Sequence, residues 1–348
     1  MNNSPNPSKA NLIPRREFFY KSAIITASPL FNTLFKPSFA DVLNSKQLAR
    51  IYSDNTPIHR LPESNSAIIK MVKLNDVIEL ESEKDMPCGL HISNQWAAVY
   101  SGGFLRTIDF QPVENKINEP RINLIKGSAL VEITVPFTQA WKAKNSGVKG
   151  SVLFYYGSNH WVTGLAQDQE KKYYYKIVDD RWDTIYYVDA EHARVIPEDE
   201  LIPIHPDASD KHIEVSIKDQ QVYAYEGEKL VFTSNAATGI LNDKTDYSTP
   251  TGVFRINYKR PSRHMIHTDR IGPNDDDLFG VPWVTYFTDT GVSFHGTYWH
   301  SSYGAPRSHG CVNMPIQAAR WIYLWTLPQV PPKERTYVSR NGTTVRVI

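Results

Sequence analysis

A cysteine, Cys311, and three histidines, His295, His300 and His309, lie close together near the carboxyl end of the sequence. A cysteine that attacks a carbonyl group needs a base to take its proton and donors to bind the resulting oxyanion. A free thiol has a pKa of about 8.5, so only a small fraction is ionised at neutral pH. A nearby imidazole is expected to raise that fraction, because as imidazolium it pairs with the thiolate. We therefore expect Cys311 to be a nucleophile and His295 to be its base.

The chain between these two residues must fold back on itself. His295 and Cys311 are sixteen positions apart, a separation that neither one helix nor one strand can bridge. Gly304 and Pro306 suit a return of the chain. Gly310, directly before Cys311, allows a close backbone approach, so the amides of both residues are expected to point at a substrate oxygen.

Zinc is an alternative use of these side chains, because histidine and cysteine are both zinc ligands. The spacing lacks a paired short-loop arrangement such as Cys-x-x-Cys. The run from Ser308 to Cys311 would also place two ligands on either side of a single glycine. We expect neither a metal nor another cofactor here.

The same residues resemble the catalytic domain of YkuD-type L,D-transpeptidases. The family pattern is a His-Gly or His-Ser step, a loop, then Ser-His-Gly-Cys, an apolar residue, and Asn or Arg. Here these are His295-Gly296 and Ser308 to Asn313. Residues 234–239 and 249–254 also match the family's Thr-Gly and Thr-Pro-x-Gly steps. The resemblance spans nearly all of residues 211–348.

The resemblance implies a reaction at the bacterial cell wall. Cys311 would attack the amide between an L-centre and a D-residue of a stem tetrapeptide, release D-alanine and form a thioacyl-enzyme. An amine on a neighbouring stem would then take the acyl group. His295 would be the base, with the carbonyl of Gly296 orienting its ring, while His309 and Gly310 would shape the oxyanion hole.

The residues expected to contact substrate are Arg307, Ser308, Asn313, Tyr298 and Trp283. Arg307 is expected to meet a substrate carboxylate, whereas Ser308 and Asn313 would brace the loop. Trp283 suits a wall or core position better than a catalytic one.

Three other functions remain open. Water in place of the amine would make the same site an L,D-carboxypeptidase. A protein with an idle C-terminal domain would bind the cell wall without catalysis. A papain-like wall peptidase fits less well, because such enzymes usually place the cysteine before the histidine in the chain.

The elements that position this site are expected to be mostly strands. The 348 residues contain 19 Tyr, 14 Phe and 8 Trp, and the aromatic and β-branched runs are broken by Gly, Pro, Asn and Asp. We expect a YkuD-like β-sandwich catalytic domain over 211–348 with one main helix, from about Pro315 to Trp325. Two small SH3-like β-barrel modules over 48–120 and 128–204 would precede it.

The tyrosines and tryptophans of the second module have two possible roles. They could stack on wall sugars or peptides, or they could fill a small barrel core and its rim. The polar segment 261–281 also allows two interpretations, either a lid over the peptide cleft or a solvated loop.

The first forty residues resemble a twin-arginine export signal. Arg15-Arg16 precedes a weakly apolar stretch, and small residues near Ala40 suit a cleavage site. We therefore expect an exported protein of the cell wall, the periplasm or the extracellular face of the cytoplasmic membrane, with peptidoglycan stem peptides as donor and acceptor. No later segment reads as transmembrane.

Net charge and cysteine content each argue against one class of protein. A formal net charge of +1 is too small to give the positive surface potential that attracts nucleic acid. The two cysteines, Cys88 and Cys311, exclude a disulfide-stapled scaffold, and a bridge between them would silence the thiol. We place them in different domains and do not expect that bridge.

Overall fold

Among the described residues, twenty-six strands accompany a single α-helix, so the predicted mostly β fold is confirmed. The predicted export signal over 1–40, Cys88 and residues 267–276 of the candidate lid lie outside the part of the chain that the structure describes. The computed structural model describes residues 47–81, 95–123, 128–142, 151–242, 245–266 and 277–348.

The first module folds as two small sheets around Ile51, Leu105 and Phe110. The three-stranded sheet has the order β4-β1-β7, and the four-stranded sheet has the order β3-β2-β6-β5. The strands are β1 (Leu48–Ile51), β2 (Thr56–His59), β3 (Ile68–Val72), β4 (Val77–Glu79), β5 (Trp96–Ala98), β6 (Phe104–Arg106) and β7 (Phe110–Val113).

The second module is one seven-stranded sheet with the order β10-β9-β13-β12-β11-β8-β14. Its strands are β8 (Ala129–Ile133), β9 (Phe137–Lys142), β10 (Ser151–Tyr155), β11 (Asn159–Gln167), β12 (Tyr173–Val178), β13 (Ile185–Asp189) and β14 (Ala193–Val195). Tyr175 and Tyr186 are fully buried, so these two members of the aromatic ladders belong to the core. The SH3-like nature of both modules and their exact boundaries stay predictions.

The C-terminal domain contains two five-stranded sheets and a short hairpin. The sheet orders are β17-β16-β15-β26-β20 and β24-β23-β22-β21-β25, and β18 pairs with β19. The strands are β15 (Lys211–Ser216), β16 (Gln221–Glu226), β17 (Lys229–Asn235), β18 (Leu241–Asn242), β19 (Thr245–Asp246), β20 (Gly252–Arg255), β21 (Tyr258–Met265), β22 (Leu278–Tyr286), β23 (Ser293–Gly296), β24 (Val312–Met314), β25 (Tyr337–Val338) and β26 (Thr344–Val347).

The α-helix of the described residues, α1 (Ile316–Trp325), begins after Pro315, as the sequence predicts. It packs against β22 and β23, and its apolar side chains join Phe294 and Val312 in one core. Since neighbouring side chains of a strand face opposite sides, the residues next to Phe294 and Val312 project away from this core. Within the described part of the chain, no helix has the length and hydropathy needed to cross a bilayer.

Candidate active site

The site is built where β23 and β24 lie side by side. The two strands are parallel, with His295 opposite Asn313, and extending this register by two residues sets Ser293 beside Cys311. Alternate residues of a strand share a face, so all four side chains project from the same side of the sheet. Cys311 and His295 are therefore diagonal neighbours, although they are far apart in sequence.

The sulfur of Cys311 lies closest to groups that precede β23 or begin it. Ser293 Oγ is 3.6 Å from Sγ, and the carbonyl oxygen of Gly291 is 3.9 Å from it. Among the described residues, these two groups and the main-chain N–H of Ser293 are the hydrogen-bonding neighbours of the sulfur, and the imidazole of His295 is not one of them. Close packing around the sulfur raises the thiol pKa, while the hydroxyl and main-chain N–H of Ser293 oppose that rise.

The imidazole of His295 is buried and held by the next residue. Its Nδ1 lies 3.2 Å from the carbonyl oxygen of Gly296, so we assign the ring proton to Nδ1 and the lone pair to Nε2. Burial lowers the pKa of His295 to about 4, and the Gly296 contact opposes this shift. The ring is therefore neutral at pH 7 and able to accept a proton through Nε2.

The resting site differs in charge from the expected imidazolium–thiolate pair. Burial disfavours the charged form of both partners, lowering the pKa of His295 and raising that of Cys311. The expectation of an ion pair is therefore wrong for this structure, which holds a neutral imidazole beside a neutral thiol.

The turn from Ser308 to Cys311 is fastened by one buried hydroxyl. Ser308 Oγ accepts the N–H of Gly310 at 3.1 Å and donates to the carbonyl oxygen of Cys311. Gly310 has a φ of +114°, which favours glycine. The expectation that the Gly310 amide points at substrate is thus wrong, because its N–H already donates to Ser308 within the turn. Among the described residues, the N–H of Cys311 has no partner.

Two upstream motifs meet beneath this turn. Thr249 Oγ1 accepts the N–H of Gly239 at 2.9 Å and donates to the carbonyl oxygen of Gly310 at 2.8 Å. A Cβ placed on Gly239 would lie 1.9 Å from the carbonyl oxygen of Tyr247 and 2.9 Å from Gly310 Cα. The Thr-Gly and Thr-Pro-x-Gly steps therefore form the floor on which the cysteine turn rests.

Two of the residues expected near substrate remain open to solvent. Arg307 and His309 are both exposed on the turn that carries Cys311. The His309 ring lies 4.5 Å from that of Tyr247, whose side chain is also exposed. Arg307 and His309 are therefore solvent-exposed residues of the turn that carries Cys311.

Three others are buried, and the expectation that they contact substrate is wrong. Trp283 is 1% exposed and packs on Tyr323, 5.4 Å away between ring centroids. Tyr298 is 2% exposed and donates its hydroxyl to the carbonyl oxygen of Phe279 at 2.8 Å. Asn313 is 3% exposed, and its side chain lies in the protein interior.

Asn313 holds a second neutral histidine under the loop. Its amide lies 2.8 Å from His300 Nε2, and the N–H of Ser302 donates to His300 Nδ1 at 3.3 Å. Burial lowers the pKa of His300 to about 3. A neutral ring that accepts at Nδ1 donates at Nε2, so the Asn313 oxygen, which has no partner in the present amide orientation, is the natural acceptor. No three His, Cys, Asp or Glu side chains among the described residues are grouped as metal ligands.

Ser293 is a residue of the site that the sequence motifs do not reveal. Its side chain is fully buried and yet faces the thiol. It stands two residues before His295 on one strand, and that period of two was the available signal. The sequence does not show the register between β23 and β24, so this periodicity alone could not predict that Ser293 lies beside Cys311.

The carboxyl-terminal part of the chain is similar in sequence to known proteins. Residues 210–347 match the family described as the YkuD L,D-transpeptidase catalytic domain. A relative, the putative L,D-transpeptidase YciB of Bacillus subtilis, is 26% identical over 131 residues. That alignment covers 34% of this chain and 63% of the relative, so the chain spans less than two thirds of that protein.

Solved structures of L,D-transpeptidases also match. A mutant enzyme from Enterococcus faecium is 24% identical with a TM-score of 0.30, covering 41% of this chain and 52% of that one. The enzyme from Mycobacterium smegmatis is 16% identical with a TM-score of 0.32, covering 60% and 99%. From the sequence match, residues 210–347 form a YkuD domain, the catalytic domain of L,D-transpeptidases.

Proposed function

We propose that the chain is an exported L,D-transpeptidase that joins peptidoglycan stem peptides through a thioacyl-enzyme on Cys311. The observation that supports this proposal is the parallel pairing of β23 with β24, from which Cys311 and His295 are diagonal neighbours on one face of the sheet. The family of residues 210–347 supports the same activity.

The first half of the reaction acylates the thiol. As Sγ of Cys311 attacks the amide carbonyl carbon, Nε2 of His295 takes the thiol proton, and the carbonyl oxygen becomes an oxyanion. The unpartnered N–H of Cys311 donates to that oxyanion. The amide C–N bond then breaks, and His295 returns its proton to the leaving amine of D-alanine.

The second half transfers the acyl group. An amine of a neighbouring stem attacks the thioester carbon, His295 takes the amine proton, and the C–S bond breaks to restore the thiol. Thioesters react well with amines relative to water, which favours transfer over hydrolysis. Arg307 and His309, exposed beside Cys311, are the side chains that we assign to substrate contact.

The test is the mass of a disaccharide-tetrapeptide after incubation with purified protein. We expect the wild type to remove D-alanine and Cys311→Ala to remove none. His295→Gln should lower the rate by about two orders of magnitude through loss of the base. Circular dichroism of both variants checks that they fold. If wild type and Cys311→Ala leave several stem peptides unchanged but bind sacculi equally, the chain is a wall-binding protein instead.

An added amine separates transfer from hydrolysis. A transpeptidase forms the amide product when a diamino-acid acceptor is supplied. Release of D-alanine with only the tripeptide acid as product would identify an L,D-carboxypeptidase. Export through residues 1–40 and wall binding by the two modules belong to the same proposal.

A further inference from the structure

The row of side chains that includes the thiol continues across the sheet. Ser293 of β23, whose hydroxyl is 3.6 Å from Sγ of Cys311, pairs with Tyr286 at the end of β22. Tyr286 pairs in turn with Tyr258 of β21. Directly paired residues of an antiparallel ladder project from the same face, so both tyrosines stand on the face that carries the thiol.

Tyr286 presents an unused hydroxyl group on this face. Its side chain is partly exposed, and among the described residues its hydroxyl has no hydrogen-bond partner. A tyrosine hydroxyl that is shielded from water usually finds such a partner. Burial raises the pKa of Tyr286 to about 12, so the hydroxyl keeps its proton at pH 7 and is able to donate it in a hydrogen bond. This donor is therefore available to a ligand.

The surrounding structure holds the ring of Tyr286 in place. The rings of Tyr286 and Tyr258 stack with centroids 5.1 Å apart and planes inclined by 22°. Directly after Tyr286, the N–H of Phe287 donates to the carbonyl oxygen of Val292 at 3.0 Å and closes the turn between β22 and β23. The phenol is thus positioned before substrate binds, so a contact with it costs little ordering entropy.

The distance from the thiol selects the part of the donor that reaches this hydroxyl. Neighbouring strands lie about 4.8 Å apart, so two spacings place the main chain of Tyr286 roughly 10 Å from that of Cys311. The single residue that leaves spans about 3.5 Å, whereas the three residues before the scissile amide span about 10 Å when extended. We propose that the hydroxyl of Tyr286 donates a hydrogen bond to one of the first two residues of the donor tetrapeptide.

The inference rests on the proposed function and names a part of the substrate that the same site recognises. The ligand group is a carbonyl or carboxylate oxygen, which accepts the phenol proton. Tyr286 is then a residue that determines specificity for donor length, and it touches none of the reacting atoms. Donors shortened from the amino end show which of the two residues supplies the oxygen.

The experiment measures KM and kcat of the full chain for D-alanine release from three N-acetylated donors: the tetrapeptide and the forms that lack its first residue or its first two residues. Tyr286→Phe removes the hydroxyl and retains the ring. It should raise KM for the tetrapeptide about fivefold, with kcat nearly unchanged, because one neutral hydrogen bond is lost. For the donor that lacks the bound residue, the variant and the wild type should have the same KM.

A tyrosine of the other sheet provides the matched control. Tyr223 of β16 is also partly exposed, and Tyr223→Phe makes the same chemical change away from the thiol. This variant should leave every KM unchanged. Alkylation of Cys311 by iodoacetamide should proceed at the wild-type rate in Tyr286→Phe, which checks that the thiol and its surroundings are intact.

The outcomes keep the two proposals apart. A wild type that releases no D-alanine from the tetrapeptide contradicts the proposed function, and the tyrosine contact falls with it. Turnover with the same tetrapeptide KM in Tyr286→Phe and the wild type contradicts only the tyrosine contact, whatever the shorter donors do. An equal rise of KM for all three donors, or a fall in kcat with slower alkylation, would also overturn that contact, because the hydroxyl would then act at the thiol or on the fold.

Discussion

At the scale of single residues, the charge state of Cys311 decides how the site can work. Burial raises its pKa and lowers that of His295, so an imidazolium is not present to stabilise the thiolate. The proton must then move as the sulfur attacks. The groups that favour the thiolate in this structure are the hydroxyl and the main-chain N–H of Ser293.

This arrangement predicts an effect of the Ser293 hydroxyl on the thiol. Ser293→Ala removes the Oγ–H donor and leaves the main-chain N–H, so the pKa of Cys311 should rise further. The rate of iodoacetamide alkylation, followed by mass against pH, should shift to higher pH. At a fixed pH below the thiol pKa, the variant should react more slowly than the wild type, because less thiolate is present.

Another buried serine provides the control for this prediction. Ser216 of β15 bonds to Asp219 and belongs to the other sheet, so Ser216→Ala should keep the wild-type alkylation profile. Coinciding profiles for Ser293→Ala and the wild type would show that the hydroxyl does not stabilise the thiolate.

At the scale of elements, the sequence predicted which segments matter but not how they join. The helix after Pro315 and the order of the motifs follow from local patterns such as a proline at a helix start and a glycine before the cysteine. The parallel register of β23 and β24 does not, because it depends on pairing between distant segments. As a result, the side chain of Asn313 faces His300 in the interior, and the N–H of Gly310 bonds to Ser308 within the turn instead of facing substrate.

The floor of the cysteine turn gives a prediction at this scale. Gly239→Ala would place a Cβ 1.9 Å from the carbonyl oxygen of Tyr247 and 2.7 Å from the N of Thr249, so backbone must move. The shift should break the bridge from Gly239 through Thr249 to Gly310. We expect a loss of about 3 kcal/mol in unfolding free energy and at least a tenfold fall in D-alanine release.

A glycine elsewhere in a strand provides the matched variant. A Cβ on Gly164 of β11 would meet only side-chain carbons of Lys176 at 3.8 Å, an ordinary contact. Gly164→Ala should therefore keep full activity and unfold within about 0.5 kcal/mol of the wild type in urea. If Gly239→Ala matches it in both measurements, close packing beneath the turn does not support the site.

At the scale of the whole molecule, the first module bonds to the loop between the two catalytic residues. Ser301 Oγ lies 2.8 Å from the carbonyl oxygen of Thr107 and 3.0 Å from that of Phe110. Arg50 of β1, 2% exposed, donates to the carbonyl oxygen of Tyr298. The active-site loop is thus held from outside the catalytic domain.

Arg50 could not have been predicted from the sequence as a core residue. Arginine is rarely buried, and the partners of Arg50 come from distant parts of the chain. Its guanidinium donates to Gln111 and Asn75 as well as to Tyr298, and it lies 4.3 Å from the ring centroid of Tyr155. Burial lowers its pKa, yet several acceptors and an aromatic face surround its charge.

Arg50→Ala should therefore destabilise the molecule and its active site together. Removing the guanidinium leaves buried acceptors on Gln111 and Tyr298 without a donor, at a cost of about 3 kcal/mol in unfolding free energy. Arg106→Ala, in the same module, removes a partly exposed local pair with Asp109 and should cost less than about 1 kcal/mol. Urea unfolding measures both, and D-alanine release should fall only in Arg50→Ala, since Tyr298 belongs to the loop between the base and the thiol. Equal unfolding costs, or full activity in a destabilised Arg50→Ala, would mean that the module does not position the loop.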